Sequence, residues 1–462
     1  MTHRYQLLDP QGQNLLIPKE GEATDVAEFE VTRLQALLSQ WLRMENVVAF
    51  LAAGCSISQG GLAIGGLERS TLQFLQSSYD SQGNGPLRDF VQSRLDNPGH
   101  ITFEQWLSYI SNIAYLSSVS DQPVEKVVWN GGIELSGEQL ATLLEDLSKT
   151  IFAFCSLKLP ERIEGASGHH AFLGKMVARD PTLGRLKVFT LNYDTLIEQA
   201  LDHLGIQYAD GFVGQVERRF DPSCYGLDIY YPGEVSEGRV RRYDKFVQLY
   251  KLHGSIHWGE TDGNMKAIHP ALEPFVAWRQ KLTGDQAAQQ EAIGELSGLF
   301  THINNQMGIL PTANKYVQTL DLPYSHLFRA FQQTLQQPQT FVVVAGYGFG
   351  DDHVNRIIED ALINPSLIML VINPSSRQDI VERIKKYQRA GARIYLLTGP
   401  DNYNGNPKHK PATFDDFAIN ILPNVSWMDD WARLKRMEST LKRDRIQGMT
   451  AVEENKDEAE HE

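Results

Sequence analysis

Val47-Val48-Ala49-Phe50-Leu51 runs without a polar break into Ala52-Ala53-Gly54-Cys55-Ser56, then Ile57-Ser58 and Gly60-Gly61. A short apolar run with no alternation suits a parallel strand covered on both faces. The small residues after it let the backbone close up to a phosphate. Backbone N–H groups and the Ser56 hydroxyl would supply the donors. This is not a Walker A loop, because no Gly-Lys-Ser/Thr follows. The same residues also suit a plain tight turn from strand to helix.

Similar runs follow at Leu186–Leu191, Val247–Leu252, Phe341–Ala345, Leu367–Ile372 and Arg393–Leu397. Helical spacing of apolar residues separates several of them, as at Thr195–Leu204 and His353–Leu362. Strand–helix alternation of this kind predicts an α/β fold, a Rossmann-like, doubly wound and mostly parallel sheet. An amphipathic helix over Ala27–Leu42 leads into the first strand. The alternation is interrupted by a large helical insertion at about 66–180, a Tyr/Gly/Arg-rich excursion at 211–245 and a polar insertion at 259–310. The reading is one catalytic core over 46–425, preceded by an N-terminal segment and helix over 1–45. Residues 426–462 follow as a basic helix and an acidic tail.

Composition narrows the function. The chain has 462 residues, 42% hydrophobic and 22% charged, with a net charge of −14. That excludes an all-over nucleic-acid surface, while the basic stretch Arg433–Arg445 leaves room for a local or indirect contact. Three cysteines, Cys55, Cys155 and Cys224, contain no C-x-x-C pair, so neither a disulfide scaffold nor a four-thiolate zinc site is expected. No stretch approaches the ~18 apolar residues of a membrane span, and the expectation is a soluble, cytoplasmic protein with no membrane association.

Four segments sit at the ends of predicted strands, where open α/β sheets bind ligands. The first is the loop already quoted. The second is Thr190-Leu191-Asn192-Tyr193-Asp194, in which an amide and a carboxylate two positions apart can grip ribose hydroxyls or a carboxamide. Asp194 also suits a simple helix cap. The third is His253-Gly254, an imidazole presented at a strand end and able to accept a proton near neutral pH. His257 reads as structural. The fourth is Gly346-Tyr347-Gly348-Phe349-Gly350-Asp351, which fails the dinucleotide fingerprint because position 351 is Asp. Asn373 then ends the next strand.

In this order the set resembles the sirtuin-like (silent-information-regulator-type) family. The Thr-x-Asn-x-Asp and His-Gly motifs stand intact, and the first loop carries Ala52 where the family has Gly. The resemblance implies NAD as substrate, with no metal. It implies that Ala53, Gly54 and Ser56 hold the diphosphate and that Thr190 belongs to the substrate-binding motif. By the same carry-over Asn192 positions the nicotinamide ribose and water, Asp194 binds the nicotinamide amide, and His253 is the general base. Gly346, Tyr347, Gly348 and Asn373 line the adenosine side.

Protein-deacylating sirtuins carry a module of four zinc-binding cysteines, and this chain lacks it. The closer resemblance is to bacterial sirtuin-like NADases of antiphage defence, whose activity is held off until a trigger or partner releases it. That implies an NAD glycohydrolase, a homo-oligomer, and a separate sensor or motor chain such as a HerA-like translocase. The alternatives are a non-catalytic NAD or ADP-ribose sensor, and an ADP-ribosyltransferase or deacylase. A dehydrogenase fits poorly without the fingerprint after the first strand.

Overall fold

The computed structural model describes residues 3–18, 25–119, 127–129, 133–161, 167–231, 242–261, 264–301, 322–374, 378–400 and 411–426. The basic helix and acidic tail expected from 426 onward lie almost wholly outside the described residues.

Eight strands form the main sheet: β1 (Gln6–Leu8), β2 (Asn46–Leu51), β3 (Leu186–Thr190), β4 (Gln207–Ala209), β5 (Phe246–Lys251), β6 (Thr340–Ala345), β7 (Leu367–Ile372) and β8 (Ile394–Thr398). Their order is β1-β8-β7-β6-β2-β3-β5-β4. Every neighbouring pair is parallel except β1 with β8. The expected doubly wound α/β sheet is therefore present. Three-residue β1 and β4 were not foreseen, because so short a strand carries no readable period.

Among the described residues, twelve helices of eight or more residues follow in chain order: α1 (Val26–Trp41), α2 (Ile64–Ser81), α3 (Gly85–Asp96), α4 (Phe103–Val119), α5 (Gly137–Cys155), α6 (Gly168–Val177), α7 (Leu196–His203), α8 (Glu273–Leu282), α9 (Gln286–Leu299), α10 (Tyr324–Leu335), α11 (Asp352–Ala361) and α12 (Gln378–Arg389). Strand residues divide between two cores by the alternation of their side chains. Val47, Ala49, Leu51, Val343 and Ala345 face α1, α6, α7 and the segment Phe414–Val425. Val48, Phe50, Val342 and Val344 face α10, α11 and α12. Both faces are buried, which explains why these strands read as unbroken apolar runs.

A third core joins α2, α3, α4, α5, α8 and α9 into a helical layer. Helices α2 to α5, from the insertion expected at 66–180, and α8 and α9, from the one expected at 259–310, thus share one core, while α6 packs against the sheet. The start of α5 is set by Ser136 and Gln139, whose side chains and backbone N–H groups bond reciprocally at 3.2 and 2.9 Å. Part of the excursion expected at 211–245 also pairs with residues at the start of the polar insertion. Trp258–Thr261, Asn264–Ala267, Arg219–Phe220 and Phe212–Val213 pair in that order as a small antiparallel sheet.

The pairing registers align the strand ends. Lys251 pairs with Thr190, Thr190 with Leu51, Leu51 with Ala345, and Ala345 with Ile372. The chain leaves β2 toward β3 on one side and returns to β6 on the other. The point where strand order reverses therefore lies between β2 and β6.

Candidate active site

Because the strand ends are level, the four motifs emerge side by side. Gly54 and Gly346 meet over the reversal point, where the Gly54 N–H donates to the Gly346 carbonyl at 3.0 Å. A Cβ on Gly54 would lie 2.5 Å from Gly346 Cα, and Gly346 has φ +69°. Only glycines allow this approach.

Thr190 shapes the second motif. Its Oγ accepts the Asn192 backbone N–H at 3.0 Å, an arrangement that turns the chain away from the strand. The Asn192 amide then donates to Ser56 Oγ at 3.0 Å, and the Ser56 hydroxyl donates to Asp194 Oδ2 at 2.7 Å. The first and second motifs are joined side chain to side chain. Asp194 Oδ1 accepts the N–H of Leu196, the first residue of α7, at 3.2 Å, while Thr195 is the N-cap residue.

Asp194 is buried, and its carboxyl is held above the usual range. Burial is the main cause, opposed by the charge of Lys251 and by the Ser56 hydrogen bond. Lys251 is itself only 2% exposed. Its ammonium donates to the Asp194 carbonyl at 2.5 Å and to Glu198 Oε1 at 2.8 Å. The last residue of β5 thus fixes the loop after β3.

His253 follows on β5. Gly254, at φ +88°, turns the chain there, and a Cβ at this position would meet the Tyr324 hydroxyl at 3.0 Å. The imidazole sits between Tyr193 and Phe328, with ring centroids 6.3 and 6.4 Å away. Its Nε2 is 3.0 Å from Asp351 Oδ2, and its Nδ1 is 3.9 Å from Glu104 Oε1. Asp351 caps α11, with Oδ1 accepting the N–H groups of His353 and Val354 at 2.9 and 3.1 Å. Burial pushes the Asp351 carboxyl upward, but the hydrogen bond and charge of His253 and the two backbone N–H groups outweigh it. The net position is well below the usual carboxylate range.

Asp351 and Glu104 were missed from the sequence. Asp351 carried a legible signal, since Asp after a glycine loop and before a helical pattern reads as an N-cap. Glu104 carried none, because its place depends on how the helical layer packs. Arg279 of α8 was missed for the same reason. Its guanidinium donates to the Phe154 carbonyl at 2.7 Å and to that of Gly60, which clamps the first loop to the helical layer.

The other expected site residues fall as follows. Ala53 and Gly54 form the short turn after β2 and are partly exposed. Tyr347 is buried beneath its loop, 5.1 Å edge-on from Phe50, and its hydroxyl donates to Asn355 Oδ1 at 2.9 Å. Gly348 lies between Tyr347 and Phe349 in the same loop. Asn373 is buried at the end of β7, level with Gly346. His257, expected to be structural, is pushed down to about 3, first by burial.

Among the described residues, Asn192 Oδ1 and Asn373 Nδ2 are buried with no hydrogen-bond partner. Leaving such an atom unmet costs about 1–3 kcal/mol. One is an acceptor after β3 and the other a donor after β7, on opposite sides of the reversal point, and they suit a long polar ligand such as a dinucleotide. No cluster of three His, Cys, Asp or Glu residues arranged to hold a metal occurs among the described residues, nor does a helix long and apolar enough to cross a membrane.

No curated protein matches the chain. Residues 186–390, however, match the family model described as a SIR2-like domain. The match takes in Asn192, Asp194, His253, Gly346, Asp351 and Asn373, while Ser56 and Glu104 join them from outside it. The row of strand ends and this match together support a sirtuin-like family, whose SIR2-like domains bind NAD and act in an NAD-dependent way.

Proposed function

We propose that the protein is an NAD glycohydrolase, cleaving NAD to nicotinamide and ADP-ribose. The observation that supports it most is the Asn192–Ser56–Asp194 chain of hydrogen bonds, with His253 on the neighbouring strand end. Nicotinamide is already cationic in NAD and leaves without prior protonation. Its departure puts positive charge on the ribose. Ionised Asp194 and the Asn192 carbonyl oxygen favour that charge over the ground state. Water then forms the new C–O bond at the anomeric carbon as the C–N bond breaks, and His253 takes the water's proton. The sum is NAD and water giving ADP-ribose, nicotinamide and one proton.

The resemblance to bacterial NADases of phage defence supports a biological role as a regulated effector that depletes NAD. In this reading the chain assembles with copies of itself and with a separate sensor or motor, a HerA-like translocase being the specific suggestion. The test is nicotinamide release by the purified chain, alone and with the product of its genomic neighbour. Asn192→Ala and His253→Ala are each expected to lower the rate at least about 10²-fold while the protein stays folded. Wild-type rates in both variants would sink the assignment. ADP-ribose recovered on an acceptor instead of free in solution would favour a transferase.

A further inference from the structure

His253 is the one proposed catalytic group held by carboxylates from two different parts of the fold. Asp351 reaches its Nε2 from the glycine-rich loop after β6, at 3.0 Å. Glu104 faces its Nδ1 from the first turn of α4 in the helical layer, at 3.9 Å. Asp351 divides its oxygens between tasks: Oδ1 caps α11 and Oδ2 meets the imidazole. The cap leaves the carboxylate little freedom to turn. A carboxylate accepts hydrogen bonds and, when ionised, does not donate, so Nε2 must carry a proton. In the neutral ring the lone pair then lies on Nδ1.

We propose that Asp351 and Glu104 are positioning residues for His253. Asp351 fixes the proton on Nε2, which makes Nδ1 the atom that accepts a proton. Glu104 offsets the positive charge that arises when it does. This rests on the NAD glycohydrolase reading only for its kinetic consequence. In that reaction the water oxygen bonds to the anomeric carbon, its proton goes to Nδ1, and the bond to nicotinamide breaks with its electron pair leaving on nicotinamide. The imidazolium then has a carboxylate at each nitrogen, and the proton passes from Nδ1 to solvent by way of Glu104. The low-lying carboxyl of Asp351 keeps it ionised throughout the working range of pH. Among the described residues, Tyr193, Tyr324 and Cys155 are further titratable groups about this part of the site, and burial keeps the Tyr193 phenol neutral.

Two substitutions separate this role from the cap. Asn and Ser both cap helices well, so Asp351→Asn and Asp351→Ser keep α11 in place. The Asn amide donates toward Nε2 and inverts the tautomer, while Ser is too short to hold it. Long-range proton–nitrogen NMR on the full chain, with His253 assigned through His253→Gln, reads the tautomer without any turnover. The expected result is the Nε2–H form in wild type, the Nδ1–H form in Asp351→Asn, and a mixture in Asp351→Ser. In nicotinamide release, kcat is expected to fall about 10²-fold or more in Asp351→Asn with KM little changed. Glu104→Gln is expected to lower kcat and to shift the pH profile, leaving the tautomer alone. An Nδ1–H wild type, or an Asp351→Asn variant with unchanged nitrogen shifts, would overturn the proposal. Unchanged kcat and pH profile in Glu104→Gln would overturn Glu104's part. A chain that releases no nicotinamide would defeat the activity reading alone, because the nitrogen shifts decide the Asp351 pairing independently.

Discussion

The Gly54 N–H donates to the Gly346 carbonyl at 3.0 Å, so the loops that end β2 and β6 are bonded to each other at the centre of the sheet. The contact leaves no room for a side chain from either partner. Gly54→Ala places a Cβ 2.5 Å from Gly346 Cα. Backbone cannot yield as a flexible side chain does, so the loops must part. The expected cost is about 1–3 kcal/mol, with a lower thermal midpoint and weaker NAD binding. Gly346→Ala adds a left-handed backbone penalty of about 1–2 kcal/mol to its own clash with Cys55, and should be the worse of the two. Calorimetry of both variants checks the order, and wild-type stability in Gly54→Ala would contradict this packing.

Lys251 gives a second prediction. Its ammonium is buried against the Asp194 carbonyl and the Glu198 carboxylate. Lys251→Met leaves Glu198 without its cation and should cost about 3–5 kcal/mol. Adding Glu198→Leu removes the stranded charge and should recover part of the loss. Denaturant unfolding of the single and double variants measures this. Equal stability in the two would mean that the pair is not coupled.

Asp194 predicts a dependence on pH. Its folded carboxyl titrates above the unfolded one, chiefly through burial. The protonated form is therefore favoured by folding, and that advantage is lost as pH rises through the folded value. Above it, the ionised carboxylate lowers stability. Asp194→Asn should raise the thermal midpoint at pH 8, and the gain should shrink as pH falls toward about 4, near the unfolded value. A gain that grew on acidification would reverse the sign argued here. Nicotinamide release should be lost in the same variant, a trade of function for stability.

Much of this was legible in the sequence. The unbroken apolar runs of β2, β3, β5, β6 and β7 gave the sheet, because strands buried on both faces need no polar residues. Asn192, Asp194 and His253 were legible because each lies within a few residues of such a run. Asp351 was half legible, as a cap but not as the partner of His253. Glu104 and Arg279 were not legible, since no local pattern says which helix face closes over a distant loop. Tyr347 was expected along the adenosine side. Its ring fills space under the loop against Phe50, where an aromatic of that size buries well.

Tyr193 and Ile256, from the two loops that carry Asn192 and His253, place their side chains in the core of the helical layer and not in either core of the sheet. Their backbones are also tied together, the Ile256 N–H donating to the Tyr193 carbonyl at 3.0 Å. The six helices are therefore not an ornament that could be cut away to leave a working minimal enzyme. Loosening them would free the anchors of both loops at once.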